Sequence, residues 1–355
     1  IMERTVIVLD SFEYKLKEKE LQKSIENICN PIFVYTKYEN ALTEIFQRTK
    51  LVGGFLTHIS YWLLSLIYAL RLLKCRNKKR IIFINPIVGI FYAAICRILC
   101  INTIISIAGF LFENKQSRLY YAIRKKFVNF CYKKVETIIL YGRDEQKLYS
   151  NIFPKLKDKF VFVQYGKDYN KAKHFNHSRE YISSGGRSNR NYQTLCDAMR
   201  GIDNSQRIDC LVATRPECVT PSMLNCNVDF IYGITLNQFG SFIKGSKLFI
   251  LPLRDTNISA GHMSMMEAMA VRVPVIVTDI PSIRDYVDDN CVFFYNANDA
   301  YDLRRKIIFI VGNLDSDIVK NKVKNAWALY NKEYSFQSLL QRIVNTSIYV
   351  SPPRL

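Results

Sequence analysis

The chain has 355 residues, of which 49% are hydrophobic and 23% are charged, and it contains 10 cysteines. This composition excludes a disordered protein, and the length is sufficient for two domains of ordinary size. The sequence has no CxxC pair, and the apolar run Thr5–Leu9 is too short for a signal peptide. We therefore expect a reducing, cytoplasmic compartment.

The net charge of +19 is unevenly distributed along the chain. Residues 1–180 contain 31 Lys+Arg and 15 Asp+Glu, a net charge of +16, whereas residues 181–355 contain 19 and 16, a net charge of +3. A strongly basic half indicates a polyanionic surface as its partner. Because no nucleic-acid-binding module is recognisable, we predict that this partner is an anionic membrane surface and not nucleic acid.

Strands and helices alternate in the first half of the chain, which we assign to one domain over residues 1–165. The expected strands are Thr5–Asp10, Pro31–Thr36, Arg80–Asn85, Asn102–Ala108, Thr137–Tyr141 and Lys159–Gln164. The expected helices are Tyr14–Ile28, Val88–Leu99, Arg118–Lys134 and Arg143–Ile152. This alternation predicts a parallel sheet with helices on both faces.

The segment from Leu51 to Leu70 has no charged residue and is long enough for a transmembrane helix. The strands before and after it belong to one sheet and must lie on one side of a membrane, which argues against a span. We instead predict a membrane-facing interfacial helix over residues 51–73, followed by the basic run of residues 74–80. A buried crossover helix of the sheet is the alternative, and His58 is expected to be structural.

The alternation restarts after a polar linker at residues 166–179, and it defines a second domain over residues 180–335. The expected strands are Tyr181–Ser184, Ile208–Ala213, Val228–Tyr232, Leu248–Leu251, Pro274–Val277 and Cys291–Phe294. The expected helices are Tyr192–Met199, Thr235–Lys244, Ser264–Ala270, Ser282–Val287 and three more towards the end. The last helix, within residues 336–355, is expected to pack back on the first domain. This pattern predicts a second doubly wound domain.

One stretch of the second domain, SAGHMSMMEAMA over residues 259–270, predicts a binding site. Gly261 is expected to open a helix whose first backbone N–H groups bind an anion. Glu267 lies one to two turns inside that helix, where its carboxylate can accept hydrogen bonds from the hydroxyls of the molecule that carries the anion. This combination indicates a nucleotide. The alternative is an ordinary helix capped by Ser259, with Glu267 on its solvated face.

Two further clusters fall at strand ends of the second domain. The Gly185-Gly186 pair permits close backbone approach, and Arg187 and Arg190 follow it with guanidinium groups that suit a diphosphate. Two solvated loop arginines are the alternative. Three residues after the next strands are placed to contact a base, although a plain turn is the alternative for the first: Arg215, Gly233 and Ile234.

The motifs SGGRSNRNY, LFILPLRDTNISAGH and MMEAMAVRVPVIVTDIPSIRDYV resemble the second half of GT-B glycosyltransferases, most closely glycosyltransferase family 4. The resemblance covers residues 180–290. It implies an α/β fold of two doubly wound, Rossmann-like domains facing a central cleft. It also implies that Glu267 binds the ribose hydroxyls and that the base lies near Gly233 and Ile234. The diphosphate ligands that it implies are Arg187, Arg190, Gly261, His262 and Met263.

The sequence departs from the family pattern at two positions. Ser259 stands where the family often has a glutamate that faces the donor sugar, so the resemblance leaves the donor sugar and the stereochemical course open. We expect the choice of sugar to depend on the loop from Asp255 to Ser259 and on loops of the first domain. Arg272 replaces the usual glycine after the helix of the motif, so this helix lacks the expected C-terminal glycine.

The resemblance implies a hexosyltransferase-type glycosyltransferase. Such an enzyme moves a sugar from a nucleotide-diphosphate sugar to a lipid-linked or surface-glycan acceptor, here at the inner face of the plasma membrane, where we expect peripheral attachment. The expected reaction is retaining and needs no metal or other cofactor, because the sequence has no convincing DxD motif and no His/Cys ligand cluster.

No protein nucleophile is expected for a retaining reaction. If the reaction instead inverts, the first domain must supply a base, and the candidates are Asp10, Glu13, His58 and Glu113, with Glu113 the first to test. Two other functions remain alternatives, namely a GT-B sugar-nucleotide epimerase and a non-catalytic nucleotide-sugar-binding subunit of a glycosylation complex.

Overall fold

The chain forms two units, Ile1–Val163 with Leu340–Leu355, and Gln164–Leu339. The computed structural model describes residues 4–9, 12–37, 53–77, 79–112, 117–169, 175, 177–202, 209–256 and 258–349. Each unit contains a six-stranded sheet in which all the described strand pairs are parallel. The predicted α/β class is therefore confirmed.

The first unit alternates strands with helices, as the sequence predicts. Its strands are β1 (Arg4–Leu9), β2 (Asn30–Tyr35), β3 (Arg80–Phe83), β4 (Ile104–Ala108), β5 (Thr137–Leu140) and β6 (Phe160–Phe162). Its helices are α1 (Glu18–Ile25), α2 (Gly53–Arg71), α3 (Pro86–Ile98), α4 (Arg118–Tyr132) and α5 (Arg143–Ile152). The strand order is β2-β1-β3-β4-β5-β6.

Helices α2 to α5 cover one face of this sheet. The strand order steps in one direction from β3 to β6, and right-handed crossovers in one direction place their helices on the same face. The buried side chains agree, since residues of all four helices share one core with Val6 and Val8 of β1. Ile7 and Leu9 alternate with these valines and therefore point to the opposite face.

Two helix predictions in the first unit need correction in their limits. The helix expected over Tyr14–Ile28 is a 3-10 turn at Phe12–Lys17 followed by the shorter α1. The apolar segment expected as a helix over residues 51–73 is α2, which ends at Arg71 and continues as a 3-10 turn, Leu72–Cys75. Among the described residues, no helix combines the length and hydropathy that a bilayer crossing requires.

The second unit repeats the architecture around a second sheet. Its strands are β7 (Tyr181–Gly185), β8 (Asp209–Ala213), β9 (Asp229–Ile231), β10 (Phe249–Leu251), β11 (Val275–Thr278) and β12 (Phe293–Tyr295). Its helices are α6 (Tyr192–Arg200), α7 (Leu236–Lys244), α8 (His262–Ala270), α9 (Pro281–Arg284), α10 (Ala300–Gly312) and α11 (Asp317–Glu333). The strand order is β12-β11-β10-β7-β8-β9.

The final helix, α12 (Phe336–Tyr349), begins within the range of the second unit, and its residues from Leu340 onward belong to the first. Within the first unit, the side-chain amide of Gln341 donates a hydrogen bond of 2.9 Å to the carbonyl oxygen of Ser24, just before the end of α1. Leu340, Ile343 and Val344 are completely buried. The helix is therefore part of the core of the first unit.

Helix α8 ends in a Schellman motif although it lacks the expected glycine. The N–H of Val273 donates to the carbonyl oxygen of Ala268, and the N–H of Arg272 donates to that of Met269. Arg272 takes the left-handed conformation that the motif requires, with a φ of 60°. Its guanidinium carbon lies 3.9 Å from the centre of the Trp327 ring of α11, so a cation–π contact offsets the backbone strain.

We expect Arg272→Gly to be more stable than Arg272→Ala by about 1 kcal/mol. Both variants lose the contact with Trp327, but only alanine keeps a side chain in the left-handed conformation. Urea unfolding of the two variants measures this difference directly, with the wild type as the reference. Equal stability of the two variants, or a less stable glycine variant, would show that a side chain at this position is not strained.

Candidate functional site

The candidate site lies where the strand order of the second sheet reverses. Strands β7 and β10 are neighbours, but the chain leaves them towards opposite edges of the sheet, so the loops that follow them separate. In doubly wound sheets such a point forms a crevice at the carboxyl ends of the strands, where ligands bind. The loop after β7 carries Arg190, and the loop after β10 leads into α8. An isolated antiparallel bridge between Arg190 and Leu253 joins the two loops.

Arg190 is buried at this crevice, with 8% of its surface exposed. Its Nε donates to the carbonyl oxygen of Gly185 at 2.9 Å, and one terminal nitrogen donates to that of Ser188 at 2.7 Å. The other terminal nitrogen lies 3.2 Å from Oγ of Ser264, in the first turn of α8. Burial lowers the pKa of Arg190, but a guanidinium remains protonated at any physiological pH. The structure therefore fixes a positive charge beside the start of a helix.

Gly186 makes room for this guanidinium. Its φ is 115°, a conformation that favours glycine, and a Cβ atom at this position would lie only 2.3 Å from a terminal nitrogen of Arg190. The carbonyl oxygen of Gly186 accepts hydrogen bonds from the hydroxyls of Tyr192, at 2.7 Å, and Thr214, at 2.8 Å. The glycine pair of the sequence motif thus positions Arg190.

Helix α8 begins as the sequence predicts, with Gly261 as its N-cap. Gly261 has a φ of 86°, and a Cβ atom would lie 3.1 Å from Leu251 and Leu253. Glycine has no side chain that could cap the helix, so the first backbone N–H groups stay available to a ligand. The alternative of a helix capped by Ser259 is therefore wrong. Met263, in the first turn, is about half exposed.

The His262 ring turns away from the helix start into the protein. Its Nε2 lies 2.9 Å from the carbonyl oxygen of Ser282, and its ring centre lies 4.1 Å from that of Tyr286. Burial lowers the pKa of His262 to about 4, and the charge of Arg190 adds to this effect. The ring is therefore neutral at physiological pH, and only the backbone N–H of His262 is available to an anion.

Glu267 lies on the same face of α8 as Ser264, about 4.5 Å further along the helix axis. Its carboxylate packs against α7, since a Cβ atom on Gly240 would lie 3.0 Å from its Oε1. Burial raises the pKa of Glu267, and the charge of Lys167 opposes that effect. No described residue donates a hydrogen bond to this carboxylate. It lines a small cavity together with Lys167, Asp168, Tyr169, Met263, Met266 and Tyr330.

The predicted base-contacting residues lie at the same edge of the sheet as Gly186. Thr214 connects the loops, because its Oγ1 donates to Gly186 and its N–H donates to the carbonyl oxygen of Ile231 at 3.1 Å. Gly233, with a φ of 82°, and the half-buried Ile234 follow directly after β9. Arg215 is exposed, and its guanidinium lies 3.4 Å from the carboxylate of Glu217.

The predicted donor-sugar loop is tied to the loop after β7. The side-chain amide of Asn189 donates to Oγ1 of Thr256 at 2.8 Å and to the carbonyl oxygen of Arg254 at 3.1 Å. These bonds flank Asp255, whose side chain is exposed, and they precede the half-buried Ser259. Sequence reasoning did not assign Asn189 a role, because its contact partners lie more than sixty positions away.

The structure describes only some of the remaining predicted site residues. Arg187 is exposed, unlike the buried Arg190 of the same loop. Glu113 and Asp10 lie outside the described residues, as do the side chains of Glu13 and His58. Among the described residues, no group of three His, Cys, Asp or Glu side chains is arranged to hold a metal. The metal-independent reaction stays a prediction.

Residues 178–313, which include every strand of the second unit, match the family model of glycosyl transferases group 1. The predicted resemblance is confirmed at this level: residues 178–313 of the second unit are similar to the group 1 glycosyl transferases. The finer motif assignments of glycosyltransferase family 4 stay predictions. No curated protein has a matching sequence.

Solved structures with the same fold include a glycosyltransferase from Rickettsia africae, which is 13% identical with a TM-score of 0.62 over 98% of this chain and 99% of that one. The HepE protein of Anabaena, solved in complex with UDP and glucose, is 11% identical with a TM-score of 0.61 over 98% and 99% of the two chains. Sucrose-phosphate synthase from Thermosynechococcus elongatus is 12% identical with a TM-score of 0.62 over 95% and 96%. At these identities the likeness is one of fold, and it confirms the predicted GT-B class.

We expect the free energy of unfolding to fall more steeply below pH 6.5 in the wild type than in His262→Gln. His262 titrates at about 4 in the folded chain, against 6.5 ordinarily, so between these pH values only the unfolded chain binds its proton. Stability that is fully present above pH 6.5 is therefore lost as the pH falls towards 4, by roughly 3 kcal/mol in total. Urea unfolding across this range measures the difference, because the glutamine amide can still donate to Ser282 but does not titrate. Parallel pH profiles would show that His262 is not buried as a neutral ring.

Proposed function

We propose that the chain transfers a sugar from a nucleotide-diphosphate sugar to a lipid-linked or surface-glycan acceptor at the cytoplasmic face of the membrane. The transfer retains the configuration of the donor and uses no metal. The observation that carries the donor half of this proposal is the buried guanidinium of Arg190 at the start of α8.

A buried positive charge is costly unless an anion compensates it. The described partners of Arg190 are two carbonyl oxygens and one hydroxyl, and no described carboxylate forms an ion pair with it. Its three hydrogen bonds leave two of the five guanidinium N–H groups for a ligand. The helix start beside it offers backbone N–H groups and a positive dipole end. A diphosphate bound here would accept hydrogen bonds from the Arg190 guanidinium and from the backbone N–H groups of the helix start.

The carboxylate of Glu267 suits the ribose of the same ligand. It lies one turn of α8 beyond Ser264, on the same face, and no described residue donates to it. Burial of an acceptor without donors is unfavourable, so the two ribose hydroxyls are complementary to it. If the diphosphate of a ligand lies at Arg190 and its ribose lies at Glu267, its base is directed towards Gly233.

The chemistry requires the bond between the anomeric carbon and the diphosphate oxygen to break. Negative charge then develops on the departing phosphate, and Arg190 with the helix start stabilises that charge without reorganising. The acceptor hydroxyl forms the new bond from the same side and gives its proton to the leaving phosphate. Such a step retains the donor configuration and needs no protein nucleophile.

UDP-sugars are the first donors to test, since the Anabaena protein of similar fold was solved in complex with UDP and glucose. For the acceptor, support comes from the charge of the first half of the chain and from the outward apolar side chains of α2. Ile59, Leu63, Ile67 and Leu70 are all exposed along this helix. A sugar acceptor that is attached to a lipid would bring its bilayer to such a helix.

We expect Arg190→Gln to weaken the binding of UDP by about 10- to 100-fold and to leave the binding of uridine unchanged. The reason is that uridine carries the base and the ribose but no phosphate. Glu267→Ala is expected to weaken both ligands, because both contain the ribose. Isothermal titration with UDP and uridine, repeated with GDP and dTDP for the base, measures these effects.

Arg179→Gln is the matched control, since it removes an exposed arginine of the same unit. This control should bind UDP as the wild type does. If Arg190→Gln reduced uridine and UDP binding equally, or left UDP binding intact, the assignment of Arg190 to the diphosphate would be wrong. Thermal melting of each variant verifies that the unit stays folded.

When the chain transfers the sugar of a UDP-sugar to water, we expect the sugar that is first released to keep the anomeric configuration of the donor. We also expect turnover to persist in the presence of a metal chelator. Proton NMR of the anomeric signal, recorded before mutarotation, measures the first outcome. An inverted product would overturn the retaining mechanism. In that case Glu113→Gln is the variant to test. If Glu113 is the general base, its loss should lower turnover about 100-fold.

A further inference from the structure

Helix α4 presents a second apolar side to solvent, about 120° around the helix from the side that packs on the sheet. Val128, Cys131 and Tyr132 are buried, yet Leu119 is 73% and Ile123 59% exposed. With 3.6 residues per turn, the exposed apolar residues fall within an arc of about 100°. They are Leu119, Tyr120, Ile123, Phe127 and Phe130. A helix of a soluble surface normally carries polar residues on this side, so the stripe indicates a partner.

The charged residues of helices α2, α3 and α4 have one sign only. Helices α2, α3 and α4 contain no aspartate or glutamate, and the whole segment from residue 45 to residue 112 contains none either. Their basic residues are Arg71, Arg97, Arg118, Arg124, Lys125 and Lys126. Ordinary solvated surfaces intersperse both signs. A surface that combines large apolar side chains with cations alone is complementary to an apolar layer with anionic groups at its boundary.

The stripes of α2 and α4 belong to one layer of helices. Trp62 of α2 contacts Phe91 of α3, with their ring centres 5.8 Å apart. Arg97 of α3 in turn covers the ring of Phe130 of α4, with its guanidinium carbon 4.3 Å from the ring centre. The same guanidinium donates a hydrogen bond to the carbonyl oxygen of Phe130. The three helices therefore lie side by side on one face of the first sheet.

We propose that this layer is a bilayer-docking surface in which α4 is a second lipid-contacting helix beside α2. We call it the lipid face and define it by the outward residues Ile59, Leu63, Ile67, Leu70, Leu119, Ile123, Phe127 and Phe130. Two interfacial helices fix the orientation of the unit on the bilayer, which a single helix does not. This inference rests on the proposed function, which gives the chain a lipid-linked or surface-glycan acceptor, but its test does not require catalytic turnover.

An anionic bilayer fits the lipid face better than a protein does. A second copy of the chain would place the same cations opposite one another, because a two-fold interface pairs each patch with itself. Lipid headgroups instead supply anions around an apolar interior, and interfacial helices with cationic rims bury their apolar side at that boundary. Trp62 and Tyr120 flank the apolar stripes, as aromatic residues do at headgroup depth.

The test is vesicle flotation with the full chain and its variants. Vesicles of phosphatidylcholine with phosphatidylglycerol are expected to bind the wild type at low salt, with weaker binding at high salt and to phosphatidylcholine alone. Ile123→Glu and Phe127→Glu are each expected to reduce the vesicle-bound fraction about tenfold. Leu16→Glu is the matched control, because it adds the same charge at a leucine of the same unit that is 95% exposed outside the lipid face. That control should bind as the wild type does.

Titration with UDP distinguishes this proposal from the proposed function, since donor binding by the second unit should persist in Ile123→Glu. Absence of flotation at low salt would overturn the lipid face. Undiminished flotation of both α4 variants would also overturn it, because another surface would then bind lipid. A wild-type dimer that dissociates in Ile123→Glu, without vesicle binding, would assign the surface to a second copy of the chain instead.

Discussion

The candidate site depends on one buried positive charge, the guanidinium of Arg190, held by oxygen atoms that are all neutral. Gly186 supplies the space for it, and Ser264 joins it to the first turn of α8. The contact with Ser264 requires the reversed strand order that makes β7 and β10 neighbours. Two carbonyl oxygens and a hydroxyl orient the charge without neutralising it. The fold thus holds a buried positive charge without a counter-ion at a position where the start of a helix also attracts an anion.

The fold was largely predictable because alternating strands and helices leave a clear pattern of apolar runs. Helix α5 was predicted with its observed bounds, and the strands of both sheets differ from their predicted limits by only a few residues. The main correction in the first unit, at residues 12–17, concerns a stretch rich in charged residues with weak apolar periodicity. Such a stretch forms 3-10 or α structure according to its tertiary neighbours, which the local sequence does not contain.

The site was predictable in its residue types but not in the direction of its side chains. Arg187 and Arg190 lie in one loop and have the same chemistry, yet the first is exposed and the second is buried. The difference arises from the positive φ of Gly186 and from the bridge to Leu253, a contact across more than sixty residues. Ser259 was a plausible cap by spacing alone, but the helix starts at Gly261, whose φ of 86° favours glycine and where a Cβ atom would crowd Leu251 and Leu253.

Departures from the expected pattern are compensated by contacts that are distant in sequence. Arg272 keeps the left-handed conformation that glycine normally takes, and the ring of Trp327 in α11 offsets the strain. The His262 side chain in the first turn of α8 is placed in the protein interior as a neutral ring, so it leaves the helix start to backbone groups. Both side chains are therefore accommodated without disturbing the geometry of the helix. A motif search that demands particular residues at such positions would miss the physical requirement, which is a short helix with an uncapped start and a Schellman motif at its end.

The two units use positive charge in different ways, and this difference follows from burial. In the second unit, the effective charge is a single guanidinium whose partners restrict it to one orientation, which suits a ligand of defined shape. In the first unit, the basic residues of α2 to α4 border exposed apolar side chains, and helical periodicity alone did not reveal this arrangement. A helix with two apolar stripes gives the same pattern whichever stripe faces the core, so only the position of α4 on the sheet identifies the outer one. Distributed charge with no acidic neighbour attracts an extended anionic surface, because no single geometry is required of it.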